Sequence, residues 1–168
     1  PDMKSNGANV PGLSDVQPAW NDAAKETFAT QRKTHWNKQA RIHGAKPRGM
    51  ASQCYHRWVE RFFGYLIPQN LRVCELGCGN GDLLASLSPS HGVGVDFSFA
   101  MIDVARERHP NLTFCEYDAH DLDALKSEGP FDVIILSDLI NDLWDVQAVF
   151  DQVSRLCGPN TRIVMNFY

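Results

Sequence analysis

The feature that most constrains this chain is a regular beat of apolar runs. After Asn70 they begin near residues 71, 92, 112 and 131, with helical patterns between them. The runs read "LRVCEL", "HGVGVDF", "LTFCEY" and "FDVIILS", and a fifth, "TRIVMNFY", closes the sequence. A spacing of about twenty residues is that of a tight strand–helix–strand unit. Strands joined this way run parallel, and a parallel sheet must be covered by helices on both faces. The expectation is therefore an α/β domain, a doubly wound open parallel sheet with five strands and a helical N-terminal extension. Such sheets bind ligands outside the carboxyl ends of their strands. That rule places "ELGCGNG", Asp96, Asp118 and Ser137-Asp138 along one rim.

The intervening segments carry their own signals. "GDLLASL" is helical, and "SFAMIDVARERH" reads as a helix with Ser98 as N-cap and Phe99, Ile102 and Ala105 along one face. A short helical stretch is expected near "DLDALKSE", and "DVQAVFDQVSRLC" is an amphipathic helix stopped by Gly158 and Pro159. Upstream, "MASQCYHRWVERFFGYLI" repeats Cys54, Trp58, Phe62 and Leu66 every four residues, widened by Tyr55, Val59 and Phe63. Those aromatics read as core contacts, and Pro68 ends the helix. Three segments follow: a loose leader at 1–18, a weakly helical basic arm at 19–49, and the main domain at 50–168.

Charge is distributed unevenly behind a net value of −4. No acid occurs from Thr27 to Val59, where Arg32, Lys33, Lys38, Arg41, Lys46, Arg48 and Arg57 all lie. From Glu60 onward sixteen acids face seven lysines or arginines. The arm suits an anionic partner, and equally a solvated face lying against the acidic body. Base-stacking aromatics are not regularly interleaved with its charges, which favours the second reading and argues against nucleic acid. No apolar run approaches the roughly 20 residues of a membrane span, and no apolar signal segment opens the chain. A cytoplasmic location is expected. The five cysteines, Cys54, Cys74, Cys78, Cys115 and Cys157, form no Cys-x-x-Cys pair. Neither a disulfide framework nor a metal site is expected, and the thiols read as small buried hydrophobes.

The chemistry concentrates in "VCELGCGNGDLL", where Gly77, Gly79 and Gly81 alternate after a strand. A phosphate-binding loop needs Gly-Lys-Ser/Thr at its end, and here Gly81-Asp82-Leu83 stands instead. A dinucleotide fingerprint needs Gly-x-Gly-x-x-Gly, which calls for a small residue at 82 or 84, where Asp82 and Leu84 sit. A nicotinamide or flavin oxidoreductase is the weaker alternative for that reason. Glu75 before the turn and Asp82 after it suit a cation-bearing cofactor without phosphates. Asp96, at the second strand's end, can accept from two ribose hydroxyls, and Asp118, at the third, from an adenine amino group.

These stretches, with "GVGVDFSFAMIDVARERHP", "LTFCEYDAHDL" and "FDVIILSDLINDLWD", closely resemble the class I S-adenosylmethionine-dependent methyltransferases over about residues 50–168. The resemblance implies a Rossmann-like methyltransferase core. It also implies S-adenosylmethionine as cofactor, with S-adenosylhomocysteine as product. By the same resemblance Gly77, Cys78 and Gly79 line the methionine end, within a turn closed by Gly81, and Glu75 supports the loop. Asp96 takes the ribose, Phe97 and Met101 flank the adenine, Asp118 and Ala119 bind its edge, and Ser137 caps the site near the sulfonium. The phrases "LIPQNLRVCELGCGNGDLLASL" and "SDLINDLWDVQ" resemble bacterial domains that sometimes precede a glycosyltransferase, which implies a second domain in a longer parent. The class ends in an antiparallel pair of strands, six and seven, and this sequence stops at "RIVMNFY". A truncated sheet is expected.

Methyl transfer from a sulfonium is an in-line displacement in which alignment does most of the work. An oxygen nucleophile also needs a base, and His120, Asp138 and Asp142 are the rim candidates. The Asn/Asp-Pro-Pro-aromatic turn of base-amino methylation is replaced by "SDLIN", and no Pro-Cys pair is present. The expected acceptor is a small metabolite, a sugar or a lipid-linked compound. The other function class is a cofactor-binding module without catalysis.

Overall fold

The computed structural model describes residues 22–45 and 49–167, so the expected leader at 1–18 lies outside the described residues. The elements are α1 (Asp22–Ala45), α2 (Met50–Leu66), β1 (Arg72–Leu76), α3 (Asp82–Ser86), β2 (His91–Asp96) and α4 (Phe99–Arg108). They continue with β3 (Thr113–Glu116), β4 (Phe131–Ser137), α5 (Val146–Leu156) and β5 (Cys157–Asn166). Two short 3-10 turns, Asp123–Ser127 and Ile140–Asp142, flank β4. One sheet in the order β3-β2-β1-β4-β5 contains all the strands, each pair parallel.

Burial explains why the central strands β1, β2 and β4 read as unbroken apolar runs. Val73, Val133 and Ile135 point to one face, where Val59, Phe63 and Ile67 pack with Leu83, Leu84 and Ile102. Cys74, Leu76, Ile134 and Leu136 point to the other, against Val149, Val153, Leu156, Leu122 and Leu125. Each fully buried side chain of this size stabilises the fold by about 1.5–3 kcal/mol before entropy is charged against it. The order of the strands makes the chain turn outward in opposite directions from β1 and β4. The crevice between those two carboxyl ends is the switch point where such sheets take ligands.

Local signals match in several places. Ser98 caps α4, its Oγ accepting from the Met101 N–H at 3.3 Å, and Asp145 caps α5 by accepting from Ala148 N–H at 2.9 Å. Four expectations need correction. On α2 the buried residues are Val59 and Phe63, whereas Trp58 is 58% exposed and Cys54, Tyr55, Phe62 and Leu66 also meet solvent. The i, i+4 stripe was one position off the core; Trp58 and Phe62 instead stack on each other outside it, 5.5 Å apart. Phe99 is 43% exposed, and Met101 joins Ile102 and Ala105 on the buried face of α4. β5 begins at Cys157, ahead of the expected "TRIVMNFY", so Gly158 and Pro159 follow the end of α5 and already belong to the strand, with an irregular register against β4 between Phe131 and Val133. Of the cysteines only Cys74 and Cys78 are buried; Cys54 is exposed and Cys115 and Cys157 are intermediate.

Candidate active site

Outside the ends of β1 and β4 lies a cleft in two adjoining lobes of 380 and 290 Å³. Gly77, Asp96, Phe97, Leu139 and Asp142 line both. The first lobe adds Glu75, Cys78, Gly79, Met101, Ser137 and Asp138; the second adds Asp118, Ala119 and His120. Thirteen of the fourteen residues singled out in the sequence therefore meet at one opening. Gly81 lines neither lobe. It starts α3 at φ +76, and a Cβ there would lie 2.6 Å from the Phe114 ring, so its role is packing. Gly79, at φ +51, differs: a Cβ would meet nothing within 4 Å. The backbone there is open to a ligand, and only glycine adopts that conformation freely.

Two buried carboxylates hold the floor. Glu75, at 3% exposure, accepts from the Leu84 N–H at 3.1 Å and so satisfies a donor in the first turn of α3. Burial pushes its carboxyl well above the ordinary range, partly offset by that bond and reinforced by Asp96 and Asp82 nearby. Asp96 ties two loops together, Oδ2 accepting from Gly79 N–H at 3.0 Å and Oδ1 from Ser98 N–H at 2.8 Å. Burial raises it to about 6 against the pull of those two donors. Asp82 is matched by Arg108 at 3.3 Å and His109 at 3.1 Å.

The second lobe is more open. Asp118 accepts from both the backbone N–H and the Nδ1 of His120, at 2.9 and 2.7 Å, and the ring bond holds its carboxyl below the usual value. His120 Nε2 faces the Asp145 N–H at 3.3 Å. With Nδ1 donating and Nε2 accepting, both ring nitrogens are in use as a strut between β3 and α5.

The roof is α1; its charge asymmetry suggested a face against the acidic body, but not that this face would cover the cleft. His35, Trp36, Gln39 and Ala40 line the first lobe; Lys25, Phe28, Ala29, Thr30, Arg32 and Lys33 line the second. Asp142 pairs with Arg32 and accepts from the Trp36 indole N–H at 2.9 Å. Lys33 reaches Glu116 at 2.9 Å, Asn37 accepts from Ser98 Oγ at 2.6 Å, and Phe28 lies 5.3 Å from Trp144. The basic arm thus lies against acids of the body. The acid-free stretch from Thr27 carried that much; the cleft beneath it was not read from the sequence.

Asp138 closes the first lobe at the end of β4. Its backbone is left-handed, φ +53, an uncommon conformation for a residue with a side chain. The Tyr55 hydroxyl donates to both of its oxygens at 2.8 Å, and Asn166 Nδ2 donates to Oδ1 at 2.6 Å. Tyr55 and Asn166 escaped the sequence reading because they lie on α2 and β5, away from the glycine turn.

Parallel strands in this order, with a glycine turn opening on carboxylates at successive strand ends, define a Rossmann-like methyltransferase fold. A family described as a methyltransferase domain matches residues 67–168, and the chain belongs to it. S-adenosylmethionine is the cofactor of this class, and several neighbouring structures of the fold hold S-adenosylhomocysteine. The chain is 39% identical over 92 residues to a malonyl-[acyl-carrier protein] O-methyltransferase from Bacillus cereus, covering 51% of this chain and 33% of that protein. It is 26% identical over 115 residues to the ubiquinone/menaquinone biosynthesis C-methyltransferase UbiE of Campylobacter jejuni, covering 63% and 48%. The chain thus spans a third to a half of the length of these curated relatives. Its fold is similar to a magnesium protoporphyrin IX methyltransferase from Synechocystis, with TM-score 0.62 and 20% identity over 79% of this chain and 66% of that one. Among the described residues no helix is long and apolar enough to cross a membrane, and no three metal-ligating side chains cluster.

Proposed function

We propose that the cleft binds S-adenosylmethionine and that the protein transfers its methyl group to a small-molecule acceptor. One observation carries this reading: the buried pair Glu75 and Asp96 flanks a backbone left open at Gly79, in a turn that has Asp82 where a phosphate-binding loop has its lysine. Buried carboxylates suit a cofactor with a cationic centre and hydroxyl donors, and oppose one rich in phosphate. Bound there, the cofactor supplies a methyl group on a sulfonium. In this assignment Gly77, Cys78 and Gly79 hold its methionine part, Asp96 its ribose, and Phe97 with Met101 its base. Asp118 and Ala119 lie at the base's edge, and Ser137 faces the sulfonium.

The protein's part in such a displacement is to align the reactants and exclude water, which is worth about 7–11 kcal/mol when orientation is good. Of the three rim candidates for a base, Asp138 fits best. His120 spends both nitrogens on Asp118 and Asp145, and Asp142 is matched by Arg32 and Trp36. Asp138 is held by uncharged donors alone. Titration calorimetry with S-adenosylhomocysteine and with NAD+ tests the cofactor assignment. Binding of the first and not the second is expected; the reverse would assign the cleft to a dinucleotide.

A further inference from the structure

Two elements, α2 and β5, converge on Asp138 in a way that cofactor binding does not require. Asn166 on β5 grips it twice: Nδ2 donates to Oδ1 at 2.6 Å while Oδ1 of Asn166 accepts from the Asp138 N–H at 3.1 Å. Tyr55 on α2 reaches across from the opposite wall and donates to both carboxylate oxygens at 2.8 Å. The backbone is kept at φ +53, which persists only where neighbours over-determine it. A carboxylate offers about four acceptor sites. Asn166 and Tyr55 occupy Oδ1, whereas Oδ2 takes only its share of the Tyr55 proton. No lysine, arginine or histidine among the described residues forms an ion pair with Asp138, although Asp82, Asp118 and Asp142 on the same cleft each have one. The lobe therefore presents an aimed, uncompensated carboxylate with spare acceptor capacity.

Resting on the cofactor assignment above, we propose that Tyr55 and Asn166 are positioning residues that aim Asp138 at the methyl position. The acceptor's nucleophile is then one that carries a proton and no negative charge, a hydroxyl or an amine. For a hydroxyl, the oxygen's lone pair forms the new carbon–oxygen bond and its proton passes to Asp138 Oδ2. The electron pair of the broken carbon–sulfur bond stays on sulfur. One carboxylate and one sulfonium become a neutral acid and a neutral thioether, so charge balances. A carboxylate nucleophile has no proton to give and would be repelled by Asp138.

Sinefungin tests this directly, because a carbon bearing an ammonium stands in place of the sulfur and its transferred methyl, and the rest of the molecule matches S-adenosylhomocysteine. Calorimetry on the full chain should show sinefungin binding tighter than S-adenosylhomocysteine by on the order of tenfold, the worth of a hydrogen bond to a charged group. In Asp138→Asn the two affinities should become equal. In Tyr55→Phe the preference should shrink, and the double variant should lose no more of it than Asp138→Asn alone, because Tyr55 acts through Asp138. Equal affinities in the unaltered protein, or a preference that survives Asp138→Asn, would overturn the proposal. A Tyr55→Phe loss that adds in full to that of Asp138→Asn would remove Tyr55 from it. Failure of S-adenosylhomocysteine to bind at all would instead overturn the cofactor assignment on which it rests.

Discussion

The floor and the roof of the cleft are built from different materials. The floor is made of strand ends and a glycine turn whose polar groups are buried and bonded to backbone, as with Glu75 to Leu84 and Asp96 to Gly79 and Ser98. The roof, α1, is held by side chains meeting side chains: Arg32 and Trp36 on Asp142, Lys33 on Glu116, Asn37 on Ser98. Among the described side chains of α1, only Ala40 is buried. Buried backbone-tied groups are costly to disturb, whereas a half-exposed ion pair such as Lys33–Glu116 contributes little. The contrast teaches that the floor should answer to substitution as a unit and the roof piecemeal.

The largest effect should come from filling the floor. Gly79→Val places a branched side chain where the ligand must approach, at φ +51, and should abolish S-adenosylhomocysteine binding in calorimetry while the far-UV circular dichroism of the sheet is retained. Retained affinity would show that no ligand uses that backbone. Asp96→Ala comes next, and a loss of about 1.5–3 kcal/mol per hydrogen bond to the ribose is expected in the same titration. An unchanged dissociation constant would detach Asp96 from the ribose.

The pH dependence is smaller and its sign is fixed. With the Asp96 carboxyl raised to about 6 in the folded protein, it is protonated at pH 5 and ionised at pH 7.5. If the ionised form is the one that binds, affinity should drop by up to about tenfold between pH 7.5 and 5. The same shift makes the ligand-free protein less stable as pH rises from the unfolded value, about 3.9, through about 6. Denaturant titrations at those pH values would show it, and a flat profile would contradict the burial of this group. The smallest effect belongs to the roof: Lys33→Ala, whose pair with Glu116 is nearly half exposed, should cost no more than about 1 kcal/mol in stability. A cost of several kcal/mol there would erase the distinction between the two regions.

What could be read from sequence followed the same division. The central strands β1, β2 and β4 were visible because a parallel strand buried on both faces must be apolar throughout, as Val133–Leu136 is. The floor was visible because its residues sit at strand ends in fixed order. The core face of α2 was misjudged because Trp58 and Phe62 share their spacing with Val59 and Phe63, and bulk alone does not say which set faces inward. Which residues of the roof meet the body was hidden for a physical reason. Its contacts join residues as far apart as Trp36 and Asp142, 106 positions, through polar pairs that leave no periodic apolar trace. Asn166 was hidden likewise, since a polar residue at the end of an edge strand resembles any other.

Glu75 carries a consequence for how this protein should be measured. Its carboxylate caps α3 from inside the core and also borders the first lobe, so occupancy of the cleft and integrity of the domain draw on the same atoms. A molecule that binds only the folded chain raises its melting point by mass action, about 2.7 kcal/mol at a hundred times the dissociation constant. Thermal shift therefore reports recognition and cohesion together. For Glu75 variants, a lost shift must be compared with the ligand-free melting point before it is credited to either.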